Sequence, residues 1–272
     1  MSVDSHIQIP KFILKQFCVP DKSGRVYNLR LQEKKIYLTG PSKLGTESGY
    51  YSEDTEQYLN QGFETPFSKL AASVRHFINS DNNDLQLPVT METDFKRFVK
   101  AQMIRSGLAI ETMCKSSYTA DFCTPQENHD FLVLFASEMS KEKQPLFENY
   151  SMVILINKTS TQYVVPQNCF YTVLSHGIEN IVVPISPICA LSLVPSELFY
   201  TLGLIRESRI GYIVNDCDIV GHNYRALLYE YIYNHSRNGF IAAAREDELH
   251  PLLDILRTNE RELDAAWKKA RE

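Results

Sequence analysis

No charge sign dominates this chain. Its 28 Lys and Arg against 33 Asp and Glu leave a formal −5, so no global basic field holds a polyanion by phosphate neutralisation. The six cysteines (Cys18, Cys114, Cys123, Cys169, Cys189 and Cys217) never form a C-x-x-C pair or a zinc-type spacing. They read as reduced thiols, mostly core fillers, and no metal set is expected. There is no run of 18 or more apolar residues, so no membrane span and no membrane partner are expected. The start carries Asp4, Lys11 and Lys15 in place of the apolar stretch of a signal peptide, and a cytoplasmic protein of bacterial type is expected. Walker, Rossmann, H-E-x-x-H and G-x-S-x-G signatures are missing too, so no cofactor and no reaction class is announced.

What is present is an ordinary globular composition, 44% hydrophobic and 22% charged over 272 residues, enough to bury a substantial core. Tyr150–Pro187 organises it. Apolar runs of four to seven residues alternate there with Asn-, Thr- and Gly-bearing breaks, which predicts an antiparallel β-meander at about 151–156, 161–165, 169–174, 180–185 and 189–194. The first run, Met152–Ile156, is apolar throughout and should be central and covered on both faces. A hairpin is expected within Arg25–Leu38.

Helices surround the meander. One begins after Ser52, a good N-cap followed by Glu53 and Asp54; Pro66 should kink it or restart it with Thr65 as cap. Asn79–Pro88 reads as a polar loop. Further helices are expected over Met91–Cys114, Pro125–Ser140, 196–203 and Ile219–His235 (capped by Asp218, with Leu227, Leu228, Tyr231 and Ile232 buried), with a short strand at Ile210–Val214. A final helix spans 246–272, where Pro251 fits only the first turn or a kink. The fold class is α+β: an antiparallel meander sheet packed by several helices, in one domain over 1–272.

Candidate chemistry lies where polar residues occupy apolar positions. Phe95, Phe98, Val99, Gln102 and Ser106 share a helix face, so an amide interrupts the stripe, with Arg105 beside it. A buried amide needs partners, and a guanidinium suits a carboxylate or phosphate; the structural alternative, weighed more heavily, pairs Arg105 with Glu64 or another core-edge acid and Gln102 with a backbone carbonyl. Glu56 and Glu64 fall roughly on one face if Pro66 leaves the helix straight, although such acids are usually solvated or ion-paired. Asn157 opens the turn after the first meander strand and Asn215 stands at a strand-to-helix break; both are first of all turn residues. His6, before Pro10, is a potential acid/base group, but a lone histidine near a terminus is more often a surface residue.

Taken together, these residues resemble the bacterial domain-of-unknown-function family 4238 over nearly the whole length. The family's opening H-H-x-V-P-x-x-x-L-x-x-F is seen as His6-Ile-Gln-Ile-Pro10-Lys-Phe-Ile-Leu14-Lys-Gln-Phe17. Its glutamate helix matches Glu56 and Glu64, its Q-x-x-R matches Gln102 and Arg105, and its N-x-T turn matches Asn157. P-I-S-P appears as Pro184–Pro187, and a break before a helix carries Asn215. Two departures stand out. Ile7 replaces a second histidine, and the S-D-N-P element aligns with Pro166-Gln167-Asn168-Cys169, so the serine and the acid are gone, with Gln167 and Asn168 as possible substitutes. The resemblance implies a component of bacterial anti-phage defence, with no settled activity.

Two functions follow as expectations. The chain binds or senses a phage or partner component through the meander and its loops, with the Gln102 and Arg105 side chains consumed by internal hydrogen bonds, or it is an enzyme, nuclease-like or nucleotide-acting. In the second case His6 is the acid/base, Glu64 its carboxylate partner, Gln102 and Arg105 a phosphate grip, and Asn157 an orienting group. The corresponding partners are a nucleic acid or nucleotide, or a protein.

Overall fold

The computed structural model describes residues 4–6, 8–19, 24–79, 88–106, 124–142, 147–175, 178–201, 212–215, 218–234 and 239–270. In chain order its elements are β1 (Asp4–His6), α1 (Lys11–Leu14), β2 (Val26–Arg30), β3 (Lys35–Thr39), β4 (Thr46–Ser48) and α2 (Glu53–Leu59). A π-helical segment (Asn60–Glu64) leads into α3 (Thr65–Ile78), α4 (Val89–Arg105) and α5 (Pro125–Glu142). Then come β5 (Tyr150–Ile156), β6 (Val165–Pro166), β7 (Tyr171–Ser175), β8 (Ile178–Ser186), β9 (Cys189–Pro195), α6 (Ser196–Thr201), β10 (Tyr212–Asn215), α7 (Ile219–Asn234), β11 (Phe240–Ala243), α8 (His250–Thr258) and α9 (Glu260–Lys269). The fold is α+β.

The strands form three sheets, ordered β1-β4, β3-β2-β11-β6 and β10-β5-β9-β8-β7. The meander is therefore real only from β7 to β9, where consecutive strands are neighbours. β5 is an interior strand between β10 and β9, and its middle five residues are buried. β6 departs from expectation by joining another sheet: Ile241 faces Pro166 and Ala242 faces Val165 in antiparallel register. Pro166 has no N–H to give a central ladder, and β6 accordingly occupies an edge.

The chain divides into two compact units, one of residues 1–7, 46–154 and 192–213, the other of 8–45, 155–191 and 214–272. In the first, Ser52 caps α2 by accepting from the Thr55 N–H. The helix passes into α3 at Thr65 through a π segment, with Glu64 and not the expected Thr65 at the N-cap position and no side-chain cap bond. Pro66 sits in the first turn of α3, and the missing N–H is absorbed by the π segment before it. α3 and α4 pack through Phe67, which stacks on Phe98 with ring centroids 3.9 Å apart and on Phe95 at 5.6 Å. All three rings are fully buried, each contributing about 1.5–3 kcal/mol by leaving water. Thr124 and Glu127 close a capping box at the start of α5, each side chain accepting from the other's backbone N–H.

In the second unit the expected hairpin is β2 and β3, paired antiparallel from Val26↔Thr39 to Arg30↔Lys35. β11 adds to β2 through Phe240↔Arg30 to Ala243↔Tyr27. The final helix is broken: Pro251 lies in the first turn of α8, and Asn259, at φ −112° and ψ 24°, separates α8 from α9. The buried face of α7 is Ile219, Asn223, Ala226, Leu227, Glu230, Tyr231 and Asn234. Leu228 and Ile232 are only half-buried, so the true face is rotated and carries polar groups. Asp218 caps α7 by accepting from the Gly221 N–H.

Candidate functional site

In the first unit, four elements deliver polar side chains to one place. α4 presents Arg105, 1% exposed, whose Nη1 donates to Glu64 Oε1 at 2.8 Å. Glu64 comes from the π segment and keeps 20% of its side chain in solvent. The guanidinium also lies over the Tyr51 ring, 5.7 Å from its centroid, and Glu56 of α2 adds a second negative charge felt by both groups. Burial works against the charge on Arg105, but Tyr51 and Glu64 outweigh it and hold the guanidinium above its usual range; burial pushes the Tyr51 phenol up. From α5, His129 stacks on Tyr50 at 4.0 Å and Asp130 accepts from the Ser52 N–H at 3.0 and 3.2 Å, fixing the 50–52 segment that carries Tyr51.

Gln102, one turn before Arg105 on the same buried face, is 1% exposed, and neither its Oε1 nor its Nε2 has a hydrogen-bond partner. A buried amide left so costs about 1–3 kcal/mol for each unsatisfied group. The backbone carbonyl expected for it as a structural partner is not there, while the expected Arg105–Glu64 pair is.

The second unit holds a separate polar network. Glu230 on α7, fully buried, accepts from the Asn168 N–H at 3.1 Å and from Asn234 Nδ2 at 2.8 Å. Asn234 in turn exchanges two bonds with Gln8, at 2.9 and 3.1 Å. Burial pushes Glu230 up to about 8 against the pull of these donors and of the Phe240 and Gln167 amides. A Cβ on Gly239 would stand 2.6 Å from Glu230 Oε1, so only glycine leaves room for the carboxyl. Nearby, Asn223 accepts from the Val164 N–H and donates to the Gln162 carbonyl, and Glu248 accepts from the Gln162 N–H. On another face of α7, His222 Nδ1 and the Tyr171 hydroxyl are 3.0 Å apart, and burial lowers the imidazole against the pull of Asp218.

Of the candidates from sequence, Glu56, Glu64, Gln102 and Arg105 belong to the first unit and Asn157, Gln167 and Asn168 to the second. Glu64 and Arg105 are in contact, Glu56 acts on them electrostatically, and Gln102 is their neighbour. Asn157 is 6% exposed and used up by its own turn: Oδ1 accepts from Thr159 N–H and Oγ1–H, and Nδ2 donates to the Thr161 carbonyl at 2.6 Å. Gln167 gives its N–H to the Phe240 carbonyl. Asn168 is fully buried with an unpartnered side-chain amide, next to Cys169 at φ +69°. His6 pairs with Thr46 through β1, and Asn215 ends β10; both side chains lie outside the described residues. Among the described residues, no three His, Cys, Asp or Glu side chains gather as a metal site. Sequence reading missed Tyr51, His129, Asp130 and the Glu230 network. For the last a signal existed, since Asn223, Glu230 and Asn234 recur at helical spacing.

A family model described as a protein of unknown function, DUF4238, matches residues 6–203. The chain belongs to this family. The DUF4238 match takes in the whole Glu56, Glu64, Gln102 and Arg105 cluster and the 166–169 turn, but stops before Asn215 and before Glu230. Neither a curated protein nor a solved structure matches the chain. Among the described residues no helix is long and apolar enough to cross a membrane.

Proposed function

We propose that this DUF4238 protein is a binding or sensing protein whose recognition centre is the cluster of Tyr51, Glu56, Glu64, Gln102 and Arg105. One observation carries the reading: the Gln102 amide is buried with both of its polar atoms unpartnered. A residue kept only for the fold would not retain that cost, because a leucine of similar size fits the apolar stripe without it. The Glu64 pair with Arg105 orients the site and leaves less of the Arg105 charge for an outside phosphate.

The test is Gln102→Leu. The variant should be more stable than the parent by about 1–3 kcal/mol in denaturant unfolding. A loss of stability instead would mean that Gln102 serves the fold, and the reading falls.

The enzymatic alternative, nuclease-like or nucleotide-acting, draws on the same cluster, where a partly solvated carboxylate adjoins a buried cation. Turnover of RNA, DNA or a nucleotide by the parent and none by Glu64→Gln would replace the binding reading with it. The setting we propose, from the family resemblance, is anti-phage defence in a bacterial cytoplasm. Expression of the chain in a sensitive host should lower the plating efficiency of at least one phage in a broad panel; unchanged plating throughout removes that setting.

A further inference from the structure

We infer that α7 clamps one edge of the segment Gln162–Asn168 with its side chains, and that the Glu230 end of this clamp is a proton-controlled release for the turn at 166–169. The segment alternates its bonding as an extended chain does. Gln167 gives its N–H to the Phe240 carbonyl of β11. The even-numbered residues turn to side chains instead: the Gln162 N–H to Glu248 at 2.9 Å, the Val164 N–H to Asn223 at 3.1 Å and the Asn168 N–H to Glu230 at 3.1 Å. The remaining even position is Pro166, which has no N–H to give. Asn223 also donates to the Gln162 carbonyl at 2.8 Å. Asn223 and Glu230 share the buried face of α7, two turns and about 10 Å apart along its axis, within side-chain reach of amides about 13 Å apart on an extended chain. The helix takes the place of a neighbouring strand.

Two features load the closed turn with a cost. Asn168 is fully buried, and among the described residues neither its Oδ1 nor its Nδ2 has a hydrogen-bond partner. Cys169 follows at φ +69°, a left-handed conformation that a residue with a Cβ rarely adopts. Opening hydrates the amide and relaxes the backbone, so Asn168 is the weak end, and Glu230 is what holds it. The neighbours of that buried carboxyl are amides: Asn234 Nδ2 of its own helix, joined in turn to Gln8, the Gln167 and Asn168 N–H groups, and the Phe240 N–H of β11. The titratable group coupled to it is the Tyr229 phenol of α7, itself pushed up by burial. The other charged or titratable groups around α7 serve elsewhere. Arg30 of β2 lies over the Phe240 ring, His222 shares a hydrogen bond with Tyr171 of β7, Asp264 of α9 accepts from Tyr231, and Glu248 pairs with Arg245. Burial pushes the closed carboxyl up to about 8, against 4.5 for an ordinary glutamate. The closed clamp therefore binds the proton more tightly than a hydrated one, and opening is favoured as pH rises between these values. Asn223 does not titrate, so the Val164 end stays shut.

The experiment is residue-resolved hydrogen exchange of the full chain at pH 5.5, 6.5 and 7.5, with the intrinsic base catalysis of exchange divided out. The opening constant of the Asn168 amide should rise by up to about tenfold per pH unit, while the Val164 amide opens less often and with a smaller slope. In Glu230→Gln, which has no proton to release, the Asn168 opening constant should be independent of pH. Three results overturn the inference: a flat Asn168 profile in the parent, a slope that persists in Glu230→Gln, or Asn168 and Val164 exchanging with one opening constant and one slope. The last would mean that the chain opens as a whole and that no local release exists. Comparing the two amides needs the parent alone, so the answer does not depend on whether the variant folds.

Discussion

Glu64→Ala should cost about 3–5 kcal/mol of stability, because it removes the hydrogen-bonded carboxylate from a guanidinium that the fold has taken almost entirely out of water. Arg105 is 1% exposed and donates to Glu64 at 2.8 Å. With Glu64 gone, the charge still has Glu56 and the face of Tyr51, which argues for the lower part of that range. The reverse truncation should be cheaper. In Arg105→Met the orphaned partner is Glu64, whose side chain is 20% exposed and can be hydrated, while the methionine fills part of the volume. Denaturant unfolding of both variants gives the answer. Equal losses, or a larger one for Arg105→Met, would show that the pair is not the buried constraint described here.

The second large effect is a pH dependence from Glu230. Its carboxyl is pushed up to about 8 in the folded chain by burial, against 4.5 for an ordinary glutamate. Between those values the native state holds a proton that the unfolded state has released. Stability therefore falls as pH rises from about 4.5 through about 8, by about 1.4 kcal/mol for each unit of displacement. Below the lower value the contribution is complete and flat. Glu230→Gln has no charge to bury and should lack this slope. Its amide also puts an N–H near groups that themselves donate, the Asn168 N–H and Asn234 Nδ2, so some stability is lost at every pH and the slope is the readout. Unfolding curves at pH 5, 6, 7 and 8 that run parallel for parent and variant would remove Glu230 as the titrating group.

These two centres were unequally visible in the sequence. Gln102 and Arg105 could be found because α4 keeps a clean helical period, and one amide among Phe95, Phe98 and Val99 breaks it. Glu64 was less secure, since its direction depends on how the chain passes Pro66, and periodicity cannot foresee a π segment. Glu230 was lost for a different reason. The apolar residues of α7 nearly surround it, so the period fitted to Leu228 and Ile232 pointed the face slightly wrong and left Asn223, Glu230 and Asn234 on the supposed outside. The meander failed at β6 because a two-residue strand has no period of its own, and its partner, β11, lies some 75 residues downstream. Local turn chemistry, by contrast, was fully legible: Ser52, Asp218 and Asn157 do in the structure what their side chains do in short peptides.

The π segment at Asn60–Glu64 has a consequence for how the site is numbered along the helix. Residues eight apart in an unbroken α-helix point about 80° away from each other, because each step turns the direction by about 100°. One extra residue taken up in a π turn makes the same eight positions behave as seven, and the angle shrinks to about 20°. Glu56 and Glu64 are brought to the same guanidinium by that surplus residue. The acid pair is thus encoded less by which residues stand there than by a count. A chain one residue shorter between Leu59 and Thr65 would keep both glutamates, keep its helix, and turn one of them away.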